Sequence, residues 1–288
     1  MPPSELADYH THCHLCHHAK GGPLDYARRA LSLGLAEIGA SCHNPFPGSP
    51  IDSWRMAWED LPSYVSSVDA ARSALSHTIP IRLGLECDFL PGRASQIEQL
   101  ASLYPFDYFI GSVHYLDEGV WALDDPAQLE LWGTRDLEDI WQLYWARFAA
   151  AASSGLFDFM AHPDLVKKFN RVPPGDLSRF YEPAIQAMLD ADVAFEINTA
   201  GLHKDCAELY PATRFLELAA QARLPVLISS DAHDPAHVGR DFAQALYAAH
   251  QAGLTHTARF QARQRTLLPL PTPDPSSSPS SGTVAQPS

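Results

Sequence analysis

Two hydrophobic patterns alternate along the chain. Short runs are apolar almost throughout: LADYH (6–10), AEIGAS (36–41), IRLGLE (81–86), FDYFIGSVH (106–114), LFDFMAH (156–162), VAFEIN (193–198) and PVLISSD (225–231). Between them lie longer stretches with apolar positions three and four apart, as at Leu216, Ala219 and Ala220, which is the period of a helix face. These stretches are PLDYARRALSLG, residues 60–76, ASQIEQLASLY, residues 137–154, LSRFYEPAIQAMLDA, ATRFLELAAQA and PAHVGRDFAQALYAAHQAG. Gly34 and Gly253 stand where helix stops are expected, and Pro225 opens a strand rather than interrupting a helix. Strands apolar on both faces, alternating with helices, predict a parallel α/β sheet. The segment PLPTPDPSSSPSSGTVAQPS has almost nothing to bury, so ordering it would cost entropy without return. The pattern therefore predicts one folded domain over residues 1–268 and a disordered tail over 269–288.

An open doubly wound sheet and a closed barrel share this alternation. The polar residues separate them. Strand after strand ends in, or is followed at once by, a potential ligand: His10 and His12, His43, Glu86, His114, His162, and Asp231 with His233. A barrel gathers all strand C-termini around one mouth, whereas an open sheet spreads them along a line. Convergent chemistry favours the barrel.

Composition narrows the function. With 288 residues, 46% hydrophobic, the chain can bury a sizeable core. Its formal net charge of −14 disfavours a protein that tracks nucleic-acid phosphates. The five cysteines, Cys13, Cys16, Cys42, Cys87 and Cys206, are odd in number and sparse, so reduced thiols are expected rather than a disulfide framework. No apolar run approaches the roughly 20 residues that cross a bilayer, and MPPSELADYH lacks a signal-peptide pattern. A cytoplasmic location is the expectation, and oligomeric state is not specified.

The densest chemistry is DYHTHCHLCHH at 8–18. Asp8, His10 and His12 alternate by two, so on an extended chain they share one face. Two imidazoles so spaced can chelate a divalent cation, with Asp8 a further ligand or an acceptor that fixes a tautomer. Spacing does not rank His14, His17 and His18. The CHLC unit of Cys13 and Cys16 has no second CxxC beside it, so a dedicated cysteine zinc site is not expected. Glu86 ends an apolar strand, where a carboxylate is costly unless cations or donors meet it. Adding His43, His114, His162, Asp231 and His233 gives more donors than one tetrahedral ion can use. Two or three ions are implied, and such clusters typically hydrolyse phosphoryl or acyl groups.

The motifs DYHTHCHLCHHA, GLECDFLPG, FIGSVHYL, HPDLVKKF, EINTAGLHK and SSDAHDPAHVG together resemble the polymerase and histidinol phosphatase (PHP) family, most closely its monofunctional histidinol-phosphatase branch. The resemblance runs in order from Asp8 to about Gly253. It implies a distorted (β/α)7 TIM-like barrel with a metal site at the strand C-terminal face. By motif position it implies one ion on His10, His12, Glu86 and Asp231, a second on Glu86, His114 and His162, and a third on His18, His43 and His233. Two residues depart from the family pattern: Cys42 stands where an acidic residue usually precedes His43, and His203 stands where an arginine is expected in GLRK.

The activity so implied is hydrolysis of L-histidinol phosphate to L-histidinol and phosphate by a metal-bridged hydroxide, a step of histidine biosynthesis. Its cofactors would be two or three divalent ions, Mn, Zn or Fe, which such ligands accept alike. Lys168 first, then Lys167, with help from His203, are the expected phosphate contacts, and Asp231 or His233 the expected proton shuttle. Tyr115, Trp121 and Phe89 are candidate aromatics beside the site. The expected partner is a small phosphate ester, with no nucleic acid and no membrane. Two rival readings are a PHP-type phosphoesterase acting on nucleic acid ends or another ester, and a catalytically silent metal-bound interaction scaffold.

Overall fold

The computed structural model describes residues 5–48, 51–117 and 121–273. In chain order its strands and helices are β1 (Ala7–Asp8), α1 (Pro23–Leu33), β2 (Glu37–Ala40), α2 (Leu61–Ala74), β3 (Ile81–Asp88), α3 (Ala94–Leu103), β4 (Tyr108–Ser112), β5 (Tyr115–Leu116), β6 (Trp121–Ala122), α4 (Leu137–Ala152), β7 (Phe159–Met160), α5 (Ser178–Asp190), β8 (Ala194–Asn198), α6 (Thr213–Gln221), β9 (Val226–Ser229), α7 (Phe242–Ala252), β10 (His256–Gln261) and β11 (Gln264–Pro269). Seven strands form one parallel sheet in the order β1-β2-β3-β4-β7-β8-β9. These are the seven apolar runs, each buried on both faces as parallel strands between helices must be.

The sheet curls until its edges meet. Thr11, just past β1, bridges Ala232, just past β9. There His12 N donates to Ala232 O at 2.9 Å and Ala232 N donates to His10 O at 3.1 Å. The result is a nearly closed seven-stranded barrel, the expected TIM-like architecture. Its interior is filled by Tyr9, Tyr108, Ile110, Phe159, Ala161, Leu227 and Phe260. The helices pack outside, through Tyr26, Val68, Leu100, Trp145, Tyr181, Phe215 and Leu246.

The end of the barrel opposite the strand C-termini is stoppered by the β10–β11 hairpin, which the hydrophobic pattern did not predict. Phe260 enters the barrel, with its ring 5.4 Å from Phe159 and 6.1 Å from Tyr9. Arg263 N donates to Asp107 O at 2.8 Å, and the Arg263 guanidinium lies 2.6 Å from Asp158. Arg259 pairs with Glu37 at 3.2 Å. Asp107, Asp158 and Glu37 all sit at strand starts, so the hairpin is pinned across that rim. Pro269 therefore ends a strand and Leu270 is buried, which carries ordered chain a few residues past the expected boundary at 268. Residues 274–288 of the expected tail lie outside the described residues.

One expected helix is shorter than its pattern. The stretch from Pro235 makes a 3-10 turn over Pro235–His237 and becomes an α-helix only from Phe242, because Gly239 and Asp241 take left-handed backbone at φ 67° and 59°. The Gly239 N–H donates instead to Asp8 Oδ2 at 3.0 Å.

Two glycines make the barrel interior fit. A Cβ on Gly84 would lie 2.4 Å from the Tyr108 ring, and one on Gly39 2.0 Å from its hydroxyl. That hydroxyl donates to Tyr9 O at 2.7 Å. Gly84→Ala should therefore displace Tyr108 and cost about 1–3 kcal/mol as an overpacked core. Urea unfolding checks this, the expected result being a lower midpoint at unchanged slope.

Candidate metal centre

Glu86, near the end of β3, is the hub of the barrel's open mouth. Its carboxylate is buried, with Ser112 Oγ donating to Oε1 at 2.6 Å. His162 Nε2 lies 3.0 Å and His114 Nε2 3.6 Å from Oε1. On the other oxygen, His43 Nδ1 lies 2.8 Å, His10 Nε2 3.4 Å and His12 Nε2 3.6 Å from Oε2. Asp231 Oδ1 completes the rim at 3.1 Å from His12 Nε2 and 3.6 Å from His10 Nε2.

Local backbone explains the convergence. His10 and His12 share a face by strand alternation, and His43 is set beside Glu86 because the β2–β3 ladder continues as a His43–Glu86 bridge. His162 and Asp231 hold left-handed backbone at φ 23° and 51°, a strained conformation for residues with a Cβ that recurs at functional sites. His17 is also left-handed (φ 64°) and turns the chain so that His14 and His17 face solvent while His18 stands at the cavity rim.

Several imidazoles are held by one nitrogen and leave the other to face the centre. His10 Nδ1 meets Glu196 at 3.0 Å and 3.1 Å, and His114 Nδ1 meets Asp88 at 2.8 Å. His18 Nδ1 donates to Cys16 O at 2.7 Å, and His233 Nδ1 to Asp231 O at 3.1 Å. Fixing one ring nitrogen as donor leaves Nε2 as a lone pair, the usual support of a metal-binding histidine. Glu196 also accepts from His162 N at 2.9 Å and Asn198 Nδ2 at 2.7 Å, and Arg55 binds Asp88 at 2.9 Å. Neither Glu196 nor Asp88 was singled out in the sequence, although Asp88 lies two residues from Glu86 and shares its face. Asp8 serves neither expected role: it accepts from Ser230 N, Ser230 Oγ and Gly239 N, tying down the segment that follows β9.

The donors fit divalent cations. His10, His12 and Asp231 bring ligand atoms within 4.8 Å of one another, as do Glu86, His114 and His162. His12, His43 and His233 form a further such group, and His18 and His233 another with Cys16. His10 Nε2, His43 Nδ1 and Glu86 Oε2 are buried without a hydrogen-bond partner, although His43 Nδ1 and Glu86 Oε2 are only 2.8 Å apart. Lone pairs aimed at one another without hydrogen-bond geometry are what an intervening cation relieves. The mouth of this barrel is a divalent-metal centre.

Electrostatics agree. Burial pushes the Glu86 carboxyl up, but the charges of His43, His10 and His114 outweigh it and hold it well below its usual range. Burial likewise raises Asp231, and His10 with the His12 bond pulls it well below. Burial and the charge on His12 drive His233 far down, leaving it neutral. Burial pulls His12 and His114 down, but bonds to Asp231 and Cys16 lift His12 to about 9, while the charges of Asp88 and Glu86 lift His114 to about 10.

The centre opens into a cavity of about 680 Å³, whose lining includes Trp54, Asp124, Lys168, His203, Tyr210 and Arg240. Lys168 Nζ lies there, held by Asp124 at 2.9 Å. Lys167, expected as a second phosphate contact, points elsewhere: its buried Nζ is taken by Leu209 O at 2.7 Å, Glu208 at 2.9 Å and Asp164 at 3.1 Å. Adjacent residues of a tight turn diverge, so of Lys167 and Lys168 only Lys168 lines the mouth. His203 lines the rim and meets Asp241 at 2.6 Å. Of the candidate aromatics, Tyr115 stacks on Trp54, Trp121 packs on Trp132 and Phe89 on Phe157. Trp54, beside His43, His18 and His114, lines the cavity together with Tyr210.

Comparison with known proteins places this geometry. The PHP domain model matches residues 8–200. The "Probable histidinol-phosphatase" of Deinococcus radiodurans is 38% identical over 259 residues, spanning 90% of this chain and 98% of that protein. The "Histidinol-phosphatase" of Bacillus subtilis is 28% identical over 254 residues, 81% of this chain and 95% of that one. The crystal structure of a histidinol phosphate phosphatase from Lactococcus lactis, complexed with zinc, L-histidinol and phosphate, superposes at a TM-score of 0.73 with 20% identity, covering 91% of this chain and 99% of that one.

Two outcomes follow from the centre's support and charge. Glu196→Gln weakens the ring anchor of His10 and should lower metal affinity about 10–100-fold, read by metal titration alongside unchanged far-ultraviolet circular dichroism. Because His12 and His114 are protonated at neutral pH before an ion arrives, loading should release protons, and apparent affinity should rise from pH 6 to pH 8. Calorimetric titration in buffers of different ionisation enthalpy measures the release; a buffer-independent heat contradicts it.

Proposed function

This chain belongs to the PHP domain family, and from that premise we propose that it hydrolyses L-histidinol phosphate to L-histidinol and phosphate at the centre around Glu86. The observation that carries the reading is the donor set itself, gathered in a cavity whose lining also includes Lys168, Lys204 and Arg240. Relatives of full-length coverage bear the histidinol-phosphatase name, and the cavity volume suits a small metabolite.

The ligand assignment we favour is His10, His12, Glu86 and Asp231 for one ion, Glu86, His114 and His162 for a second, and His18, His43 and His233 for a third. Divalent ions held there would acidify water toward neutrality and supply positive charge to the phosphoryl oxygens. Glu86 presents one oxygen to each inner set, while Ser112 keeps its plane fixed. Lys168 Nζ faces the cavity as the cation that neutralises charge gathering on the phosphoryl group. Asp124 holds that ammonium in place until the anion competes for it. Asp231 and His233 line the same space and are the groups placed to pass a proton to the departing oxygen. His203, drawn to Asp241, supplies a weaker polar contact at the rim.

An acidic chain attracts this anion through the local field of the centre and Lys168, not through its overall charge. The same acidity disfavours nucleic acid as substrate. Zinc, manganese and ferrous iron all suit the imidazole and carboxylate ligands of the inner sets.

Phosphate release measured over histidinol phosphate, sugar phosphates, nucleotides and an oligonucleotide tests the substrate. Turnover confined to the oligonucleotide overturns it. Chelation should abolish turnover and added Mn²⁺, Zn²⁺ or Fe²⁺ should restore it in part. Lys168→Ala should lower kcat/KM on the order of 10²-fold, the cost of losing one positioned charge-stabilising group. Lys167→Ala should instead act on stability, since it breaks a buried ion pair that does not line the cavity; equal losses of kcat/KM in both variants at unchanged stability would be the contrary result.

A further inference from the structure

A cluster of thiols lies against the metal centre and has no part in the function above. Cys13, Cys16 and Cys42 are all buried and unbridged. Cys16 belongs to two groups of candidate ligands. Its Sγ lies within 4.8 Å of ring nitrogens of His18 and His233, and within 4.8 Å of His12 and Cys42. The turn explains why: left-handed His17 (φ 64°) sends its own side chain to solvent and brings Cys16 and His18, on either side of it, toward the centre.

The two histidines are prepared for a shared ion. His18 Nδ1 is fixed on Cys16 O at 2.7 Å and His233 Nδ1 on Asp231 O at 3.1 Å, so each keeps Nε2 as its lone pair. Their rings stand 4.5 Å apart, whereas His43 and His233 stand 6.1 Å apart. His43 meanwhile turns Nδ1 onto Glu86 Oε2 at 2.8 Å. The outer pair thus has a sulfur at hand and an imidazole drawn partly inward. On the far side of Cys16, His12 Nδ1 is buried with no hydrogen-bond partner, and a thiolate there would accept a hydrogen bond from its N–H.

We propose that Cys16, as a thiolate, joins His18, His43 and His233 as a ligand of the outer ion, with its sulfur grouped closest with His18 and His233. It rests on the divalent-metal reading of the centre. As a thiol, Cys16 donates to Cys13 O at 3.1 Å; on binding, that S–H proton passes to solvent and a sulfur–metal bond forms. The resulting site is softer than the two inner sets, which carry only nitrogen and oxygen. It selects zinc or ferrous iron over manganese, which favours oxygen donors.

Cobalt substitution tests this without reference to turnover. The full chain, stripped by chelation and kept reduced, is titrated with Co²⁺ and its absorption followed in the visible and near ultraviolet. The fully loaded protein should show a thiolate-to-cobalt charge-transfer band. Cys16→Ser should abolish that band and weaken the last ion bound by at least tenfold, while Cys13→Ser and Cys42→Ser retain both. Visible d–d absorption with no charge-transfer band in the unsubstituted protein overturns the thiolate and leaves the metal centre standing. A band lost only in Cys42→Ser assigns the sulfur to the wrong residue and overturns it equally. Absence of all cobalt binding sinks both this inference and the centre beneath it. The unsubstituted spectrum decides alone if Cys16→Ser does not fold.

Discussion

A single buried carboxylate between five imidazoles governs this protein. Glu86 sits at the end of an apolar strand with no solvent to stabilise its charge, and the cost of that burial is met only if positive charge or donors surround it. Imidazoles from the β1, β2, β4 and β7 exits meet it within 3.6 Å. None of those residues is near it in sequence except through the barrel. The closed sheet is thus the means by which the charge is tolerated, and the charge is the reason the mouth holds cations rather than a hydrophobic ligand.

Support for the centre is layered. Glu196 and Asp88 fix the tautomers of His10 and His114, Arg55 steadies Asp88, and Asn198 reaches both Glu196 and Asp231. Each link is a charge-assisted or fully buried bond, where low dielectric strengthens a satisfied network and penalises a broken one. Rigidity at the mouth is therefore inherited from side chains one step behind it.

Much of this was legible in the chain. The seven apolar runs became the seven sheet strands because two-sided burial leaves so plain a signature. The donors could be placed at one mouth because side-chain alternation and strand direction are local properties. What escaped the pattern depends on tertiary partners. The β10–β11 hairpin is polar on much of its surface, and what orders it is tertiary: Phe260 entering the barrel and arginines paired with carboxylates at the strand starts. Lys167 and Lys168 are chemically alike and adjacent, so only the turn geometry assigns one to Asp164 and Glu208 and the other to the cavity. Helix α7 begins late because Gly239 is claimed by Asp8, far away in sequence. Glu196 read as a strand residue until His10 was seen beside it.

The stoppered base of the barrel governs traffic as well as packing. With Phe260 wedged beneath Phe159 and Tyr9, nothing can drain through the axis, so whatever small molecules reach the centre enter and leave by one doorway. Departure of the last product and arrival of the next reactant are then mutually exclusive events. A vessel with a sealed floor turns over no faster than its rim can be cleared.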